Sequence, residues 1–243
     1  MSEPLVSIVI TAYGYEQFVA PCIDSCLAQK SSVPFEIVFI DDGSPDRCAE
    51  FAHAYGAAVR VFTLPNGGVE KASNFGFSQA KGRFIVRVDV DDILRANFLE
   101  GVAPYLGDNE WSFLYSDYER IDVDGKVISM VGLPSYTSEE IRRRGDFLAT
   151  GTVYRTAQLA LLGGYNEAVR NCGLENYELI LRLIAQGGHG LHIAAPLFQY
   201  RVHSGNMSLL RREKIIEHGR LIAQQQGLGS YSTNSNHPYQ LVL

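Results

Sequence analysis

The chain is 243 residues long, 46% hydrophobic and 20% charged, with a formal net charge of −6. These values are ordinary for a soluble globular protein, with length for one large α/β domain or two small ones around a sizeable core. The negative balance argues against a general nucleic-acid binder, which carries a basic face, and no apolar run approaches the roughly 20 residues of a membrane span.

The opening MSEPLVSIVITAY lacks a basic leader and passes straight into a strand-like run, so it is not read as a signal peptide. LVSIVIT (5–11) is apolar and β-branched throughout, as in a strand covered on both faces. EQFVAPCIDSCLAQ (16–29) shows helical spacing of Phe18, Cys22, Ile23, Cys26 and Leu27. FEIVFID (35–41) is a second buried strand. It stops at the turn-rich DDGSPD, where Ser44 followed by Pro45 offers a helix start. CAEFAHAYG reads as a helix closed by Gly56, AVRVFTL (58–64) as a third strand, and 69–80 as a helix behind the glycine-rich PNGG. FIVRVDV (84–90) is the fourth strand. This alternation predicts a parallel sheet with right-handed crossovers, whose ligands lie beyond the carboxyl ends of the strands. TAYGY, DDGSPD and DVDD all fall at such ends.

After residue 110 the pattern loosens. WSFLYSDYERID and VISMV suggest an antiparallel pair turning at Asp124-Gly125; DVDGK lacks the later ligands of a calcium loop. SEEIRRRGD gives a short helix with Arg142, Arg143 and Arg144 on a solvated face. An amphipathic helix over 176–185 ends at Gly187-Gly188, followed by the strand-like LFQYRVH and a helix in LLRREKIIEHGRLIAQQQ. The tail from Gly229 is polar and expected to be poorly ordered. Cys22, Cys26, Cys48 and Cys172 form no metal-ligand pattern and read as the reduced thiols of a cytoplasmic protein.

Three carboxylates in four residues, Asp89, Asp91 and Asp92, close the fourth strand. Like charges at the end of a buried strand cost free energy unless a cation sits among them. A D-x-D offers hard oxygen ligands to Mg²⁺ or Mn²⁺, with phosphate completing the shell, and such a metal is a Lewis acid for a departing phosphate oxygen. Neither G-x-G-x-x-G nor G-x-x-x-x-G-K-[ST] is present, so phosphates fall to metal and side chains. The missing glycine-rich, basic signature also disfavours a nucleotidyltransferase.

VSIVITAYGYEQFVAPCIDSCLAQ, FEIVFIDDGSPD, NGGVEKASNFGFSQAKGRFIVRVDVDDIL, GGYNE, GLENYELILRLIAQGG and QYRVHSGNMS follow one another in that order. Over residues 4–208 the chain thereby resembles the family 2 glycosyltransferases of GT-A fold. The resemblance implies a Rossmann-like, mostly parallel central sheet flanked by helices, with a small antiparallel acceptor-side subregion. Residues 1–110 become the nucleotide-sugar half, 111–206 the acceptor-side half of the same domain, and 207–243 a C-terminal helix and tail. It implies sugar transfer from a nucleotide diphosphate, UDP-sugar by default with GDP and dTDP behind it, to an acceptor hydroxyl with inversion.

Thr11, Ala12 and Tyr13 then line the base pocket, with Val90 on the donor side. Asp42 meets base or ribose, while Asp41 braces its turn. Asn66, Gly67, Lys71 and Asn74 flank ribose and diphosphate. Many relatives have Arg where Ser73 stands, which removes one phosphate-side cation. Asp89, Asp91 and Asp92 supply the metal ligands, with His203 approaching metal or diphosphate.

An inverting transfer needs a base for the acceptor's proton. In the family this is commonly the Asp of an E-D pair; here the pair is Glu175-Asn176, and Asn takes no proton at neutral pH. Either Glu175 is the base, or another carboxylate such as Glu178 serves, or the acceptor needs little proton abstraction. The remaining alternative is a weakened enzyme or a non-catalytic nucleotide-sugar binder. Trp111, Asp117, Thr150 and Gly151 are the acceptor-side candidates, for a polysaccharide, lipid-linked or protein-linked glycan. Any membrane contact is peripheral, at the inner face, through Arg211, Arg212 and Lys214; no nucleic acid is expected.

Overall fold

The computed structural model describes residues 3–108, 110–168 and 170–243. The chain runs β1 (Val6–Ala12), α1 (Glu16–Leu27), β2 (Phe35–Asp41), α2 (Cys48–His53), β3 (Arg60–Thr63), α3 (Val69–Gln79) and β4 (Phe84–Asp89). These four strands are parallel in the order β3-β2-β1-β4. Because β4 returns to the far side of β1, the order reverses between them, and the two strand ends diverge into a crevice. All seven residues of β1 are buried, which is why its sequence shows no alternation.

The sheet continues through β5 (Ile93–Leu94), β6 (Phe113–Ile121), β7 (Val127–Val131), β8 (Val153–Arg155) and β9 (Gly190–Arg201). Its full order is β3-β2-β1-β4-β8-β6-β9-β5, with β7 on β6. β8 is antiparallel to both β4 and β6, while β9 is parallel to β6, so this half is mixed. Interspersed are α4 (Phe98–Val102), α5 (Ser138–Arg144), α6 (Thr156–Leu162), α7 (Glu175–Ala185), α8 (Met207–Leu210) and α9 (Arg212–Gln225). One core, around Val19, Cys22, Val86 and Phe98, lies under α1, α2 and α4; the other, around Val9, Ile85, Tyr177 and Ile180, lies under α3 and α7. α3 approaches β1 closely: a Cβ on Gly76 would stand 2.5 Å from Val9 Cγ1.

Three expectations are corrected. α2 starts at Cys48, not Ser44, because the polar groups before it are committed across the chain. Ser44 Oγ accepts from Gly14 N, and Asp46 accepts from Glu16 N and Cys48 N. Arg144 is not solvated: it is 1% exposed, ion-paired to Glu140 at 3.2 Å and stacked on Phe147. Arg142 and Arg143 do face solvent. The tail from Gly229 is ordered against the body, with Leu241 and His237 buried, Tyr231 donating to Gly145 O, and Asn234 and Asn236 donating to Glu140. The His237 imidazole is held neutral, its pKa lowered to about 4 by burial and by Arg212.

Candidate active site

A cavity of about 640 Å³ opens at the carboxyl ends of β1, β2 and β4. Its walls include Thr11, Ala12, Tyr13, Asp42, Asn66, Asp89, Val90 and Asp91 from the donor candidates, together with Asp92, Glu175 and Asn176. Most of the proposed residues are thus brought together. Lys71 and Asn74 are not on these walls. Lys71 is exposed, and Asn74 is turned away, donating to Tyr165 O and accepting from Tyr165 N. Gly67 lies one step behind the wall, its N–H held at 2.7 Å by Asp42 Oδ1.

Asp42 is a hub for that loop, accepting from Gly67 N, Gly68 N and Asn66 Nδ2. Asp41 receives Ser44 N at 3.0 Å and so braces the turn. The three acids ending β4 divide into distinct environments. Asp89 pairs with Thr11 in the β1–β4 register, and its Oδ1 accepts from Thr11 Oγ1 at 3.3 Å and from Arg87 Nη2. Asp91 Oδ2 meets His203 Nε2 at 3.0 Å, and its backbone carbonyl accepts from Arg201 Nε. His203 Nδ1 accepts from Gly205 N, so the proton of the neutral ring sits on Nε2 and is donated to Asp91. Metal ligation through Nε2 therefore requires the other tautomer; as it stands the ring orients Asp91.

Asp92 acts as a brace in this structure. It is buried, Oδ2 accepting from Thr150 Oγ1 at 2.6 Å and Oδ1 from Arg201 N at 2.8 Å. Burial, then Asp91 and Asp89, push its proton affinity well up. Asp92→Ala is expected to leave two buried donors unpaired and cost about 2–4 kcal/mol, read as a lowered melting temperature with the variant still folded. An unchanged melting temperature would show that neither bond matters to the fold.

The acceptor-side candidates fare differently. Trp111 is a buried core residue, with Nε1 donating to Tyr105 O and its ring on Phe84. Asp117 is hydrogen-bonded to His192 Nε2 at 2.8 Å and holds Leu133 N, away from the cavity. Thr150 lies behind Asp89 and Asp92, bonded to Asp89 N. Gly151 adopts φ +77 with Phe198 against its Cα, which leaves no room for a side chain.

The carboxylate–cation problem of β4 has an internal answer in Arg87. Side chains two apart on a strand share a face, so Arg87 and Asp89 both turn toward α7. Arg87, 1% exposed, donates Nη2 to Asp89 and Nη1 to Glu175 Oε1 at 2.8 Å. Glu175 opens α7 and is 7% exposed, and its Oε2 is buried with no hydrogen-bond partner among the described residues. Burial raises its proton affinity, Glu70 and Asp89 add to this, and Arg87 opposes it. Glu70, Cys172 and Glu175 also converge, but Glu70 is occupied by Asn171 N and Cys172 N and holds their loop.

Asn176 is fully committed. Its Oδ1 accepts from Tyr154 at 2.7 Å and Tyr165 at 2.9 Å, while Nδ2 donates to Leu148 O at 2.8 Å. Arg170, Arg211 and Lys214 form a basic flank of the cavity. They knit it together, Arg170 donating to Asn66, Arg211 to Asn171 O and Lys214 to Arg170 O. Two of the cations expected at a membrane surface thus stand on the cavity wall. Among the described residues no helix is long and apolar enough to cross a membrane.

Sequence reasoning misses Arg87, although a lone cation in FIVRVDV two residues before Asp89 signals it. It also misses Arg170, which has no local signal, and Tyr15, whose φ of +66 and hydrogen bond to Gly205 O hold the His203 loop.

The sequence pattern described as "Glycosyl transferase family 2" matches residues 7–161. The chondroitin synthase of Pasteurella multocida (strain Pm70) is 29% identical over 211 residues, 85% of this chain but 21% of that protein. The chain thus spans about a fifth of that relative's length. The crystal structure of Staphylococcus aureus TarS 1–349 in complex with UDP-GlcNAc aligns with a TM-score of 0.74 at 22% identity, covering 93% of this chain and 67% of that 1–349 chain. The mannosyltransferase PcManGT of Pyrobaculum calidifontis, in complex with GDP-Man and Mn²⁺, aligns with a TM-score of 0.72 at 15% identity, covering 94% and 66%. The fold is that of the GT-A glycosyltransferases, and with more than half its length matched the chain belongs to glycosyl transferase family 2.

Proposed function

We propose that this chain is a metal-dependent, inverting glycosyltransferase that moves a hexosyl group from a nucleotide diphosphate, a UDP-sugar first, to the hydroxyl of a glycan in polysaccharide or glycan synthesis. The observation that carries the reading is one cavity in which Asp89 faces a buried Glu175 across a shared arginine, with Asp91 beside them on the same wall. The neighbours solved with UDP-GlcNAc and with GDP-Man and Mn²⁺ support the donor class and the metal.

The residues fit a hard divalent ion. The protein's contacts to the two carboxylates fall on Asp89 Oδ1 and Asp91 Oδ2, which leaves the other oxygen of each for a ligand. Mn²⁺ or Mg²⁺ held there supplies Lewis-acid stabilisation to the departing diphosphate. The chain's own residues do the rest. Tyr13, 52% exposed at the end of β1, offers a face to the base, and the Asp42 hub fixes Asn66 beside it. Arg170, Arg211 and Lys214 give the phosphate charge that Ser73 does not. Glu175, its proton affinity raised by burial, accepts the acceptor's proton as the oxygen attacks from the face opposite the diphosphate.

A thermal-shift titration with UDP, GDP and dTDP, each with and without Mn²⁺, tests the reading. One nucleotide at about 100 times its Kd should stabilise the fold by roughly 2.7 kcal/mol. The shift should need the metal and vanish in Asp91→Asn. No shift with any nucleotide would sink the proposal.

A further inference from the structure

We infer that Arg87 is a positioning residue that sets Glu175 and the donor-side Asp89 against each other, so that one buried side chain fixes both ends of the transfer. The inference rests on the glycosyltransferase reading of this cavity and goes beyond it to a residue outside the D-x-D and the Glu175-Asn176 pair.

Three features of Arg87 single it out. It lies buried in the middle of a strand that is otherwise apolar until Asp89, where an arginine is costly unless its charge is used. Its two terminal nitrogens are divided between two carboxylates from different elements, one nitrogen each, rather than forked onto one. Its Nε is buried with no partner among the described residues, so the side chain forgoes one hydrogen bond in the geometry that reaches both acids. A rigid planar guanidinium transmits such an arrangement; an ammonium holds a point charge with no fixed angle.

The consequence follows from what surrounds Glu175. Asp89 beside Arg87 on β4, Glu70 from α3, Cys172 and Asp146 from the loops, and the phenols of Tyr165 and Tyr239 face or bias it. Among these groups Arg87 is the only cation. With Oε1 tied to Arg87, Oε2 is left without a partner among the described residues. Arg87 therefore fixes how the Glu175 carboxylate lies, and its bond to Asp89 is what relates that carboxylate to the donor side.

The test uses Arg87→Met and Arg87→Lys in the full chain, with melting temperature, Mn²⁺–UDP binding by calorimetry, and the pH profile of kcat. Arg87→Met should lower kcat about 100-fold, the scale of a misplaced reacting group, while Mn²⁺–UDP still binds. Its acid limb should move up by about one pH unit or more, because the opposite charge that favours ionised Glu175 is gone. Arg87→Lys should restore the limb, since the charge returns, but little of kcat, since the angle does not. Should Arg87→Met fail to fold, the double variant Arg87→Met/Glu175→Gln removes the unpaired charge and should fold. The Arg87→Lys split between limb and kcat then carries the decision. An unmoved limb in a folded Arg87→Met, or full kcat in Arg87→Lys, overturns the positioning role. A wild-type chain that binds no nucleotide overturns the glycosyltransferase reading itself, and that is seen before any variant is made.

Discussion

Glu175→Gln is expected to cut sugar transfer by roughly 10²–10⁴-fold, the usual contribution of a positioned base, with Mn²⁺–nucleotide affinity unchanged. The substitution is close to isosteric. An amide oxygen can still accept from Arg87 Nη1, and Arg87 keeps its pair with Asp89, so the donor side is left standing. What is lost is the ability to hold a proton. In the wild type, burial, reinforced by Glu70 and Asp89, lifts the proton affinity of Glu175 above the ordinary glutamate range, against the pull of Arg87. Transfer should therefore rise with pH through an acid limb lying above that range, because the carboxylate must be ionised to accept the proton. Initial rates with saturating donor across pH 4–8 measure both quantities. Turnover within a few-fold of wild type in Glu175→Gln would move the base elsewhere in the cavity.

Residues whose environment is set by their own strand are legible in the sequence; residues placed by distant partners are not. β2 is read to the residue because a strand buried in a parallel sheet is a continuous apolar run ended by turn formers. β9 is longer than LFQYRVH suggests, beginning at Gly190, since its first half is held by pairing to β6 rather than by its own composition. The start of α2 escapes a local reading because Ser44 serves Gly14, and Asp46, which holds Cys48 N at the helix start, is also engaged by Glu16 N from α1. The same division holds at the site. Asp89, Asp91 and Glu175 stand at strand and helix ends and carry recognisable patterns, whereas Arg170, Arg211 and Lys214 meet only because α9 docks beside the 170–171 loop. Residue type alone draws Trp111 and Asp117 to the acceptor side, and burial in the core and the His192 pair overrule it.

Asn176→Asp, which restores the acid commonly found in this family, is expected to destabilise the fold by about 2 kcal/mol at neutral pH and to bring no gain in transfer. The surroundings of Asn176 are complementary to an amide. Two tyrosine hydroxyls donate to Oδ1, which a carboxylate would tolerate; Nδ2 donates to Leu148 O, which a carboxylate would face oxygen to oxygen. Loss of that donor, with a charge at a position only 2% exposed, is the source of the cost. For a chain of this length the melting temperature should fall by roughly 4–8 °C. The pH dependence has a definite sign. When protonated, the introduced carboxyl regains a donor for Leu148 O, so its pKa is raised in the fold, and the folded state binds more protons than the unfolded one above about pH 4. Stability of the variant relative to wild type therefore falls as pH rises from the unfolded pKa through the folded one, and the two converge under acid. A network in which every polar atom of the side chain has a matched partner belongs to a site built around asparagine, with the proton-accepting role left to its neighbour. A large rise in transfer rate in Asn176→Asp, with melting temperature unchanged, would instead mark this chain as a weakened form of an enzyme that uses aspartate at that position.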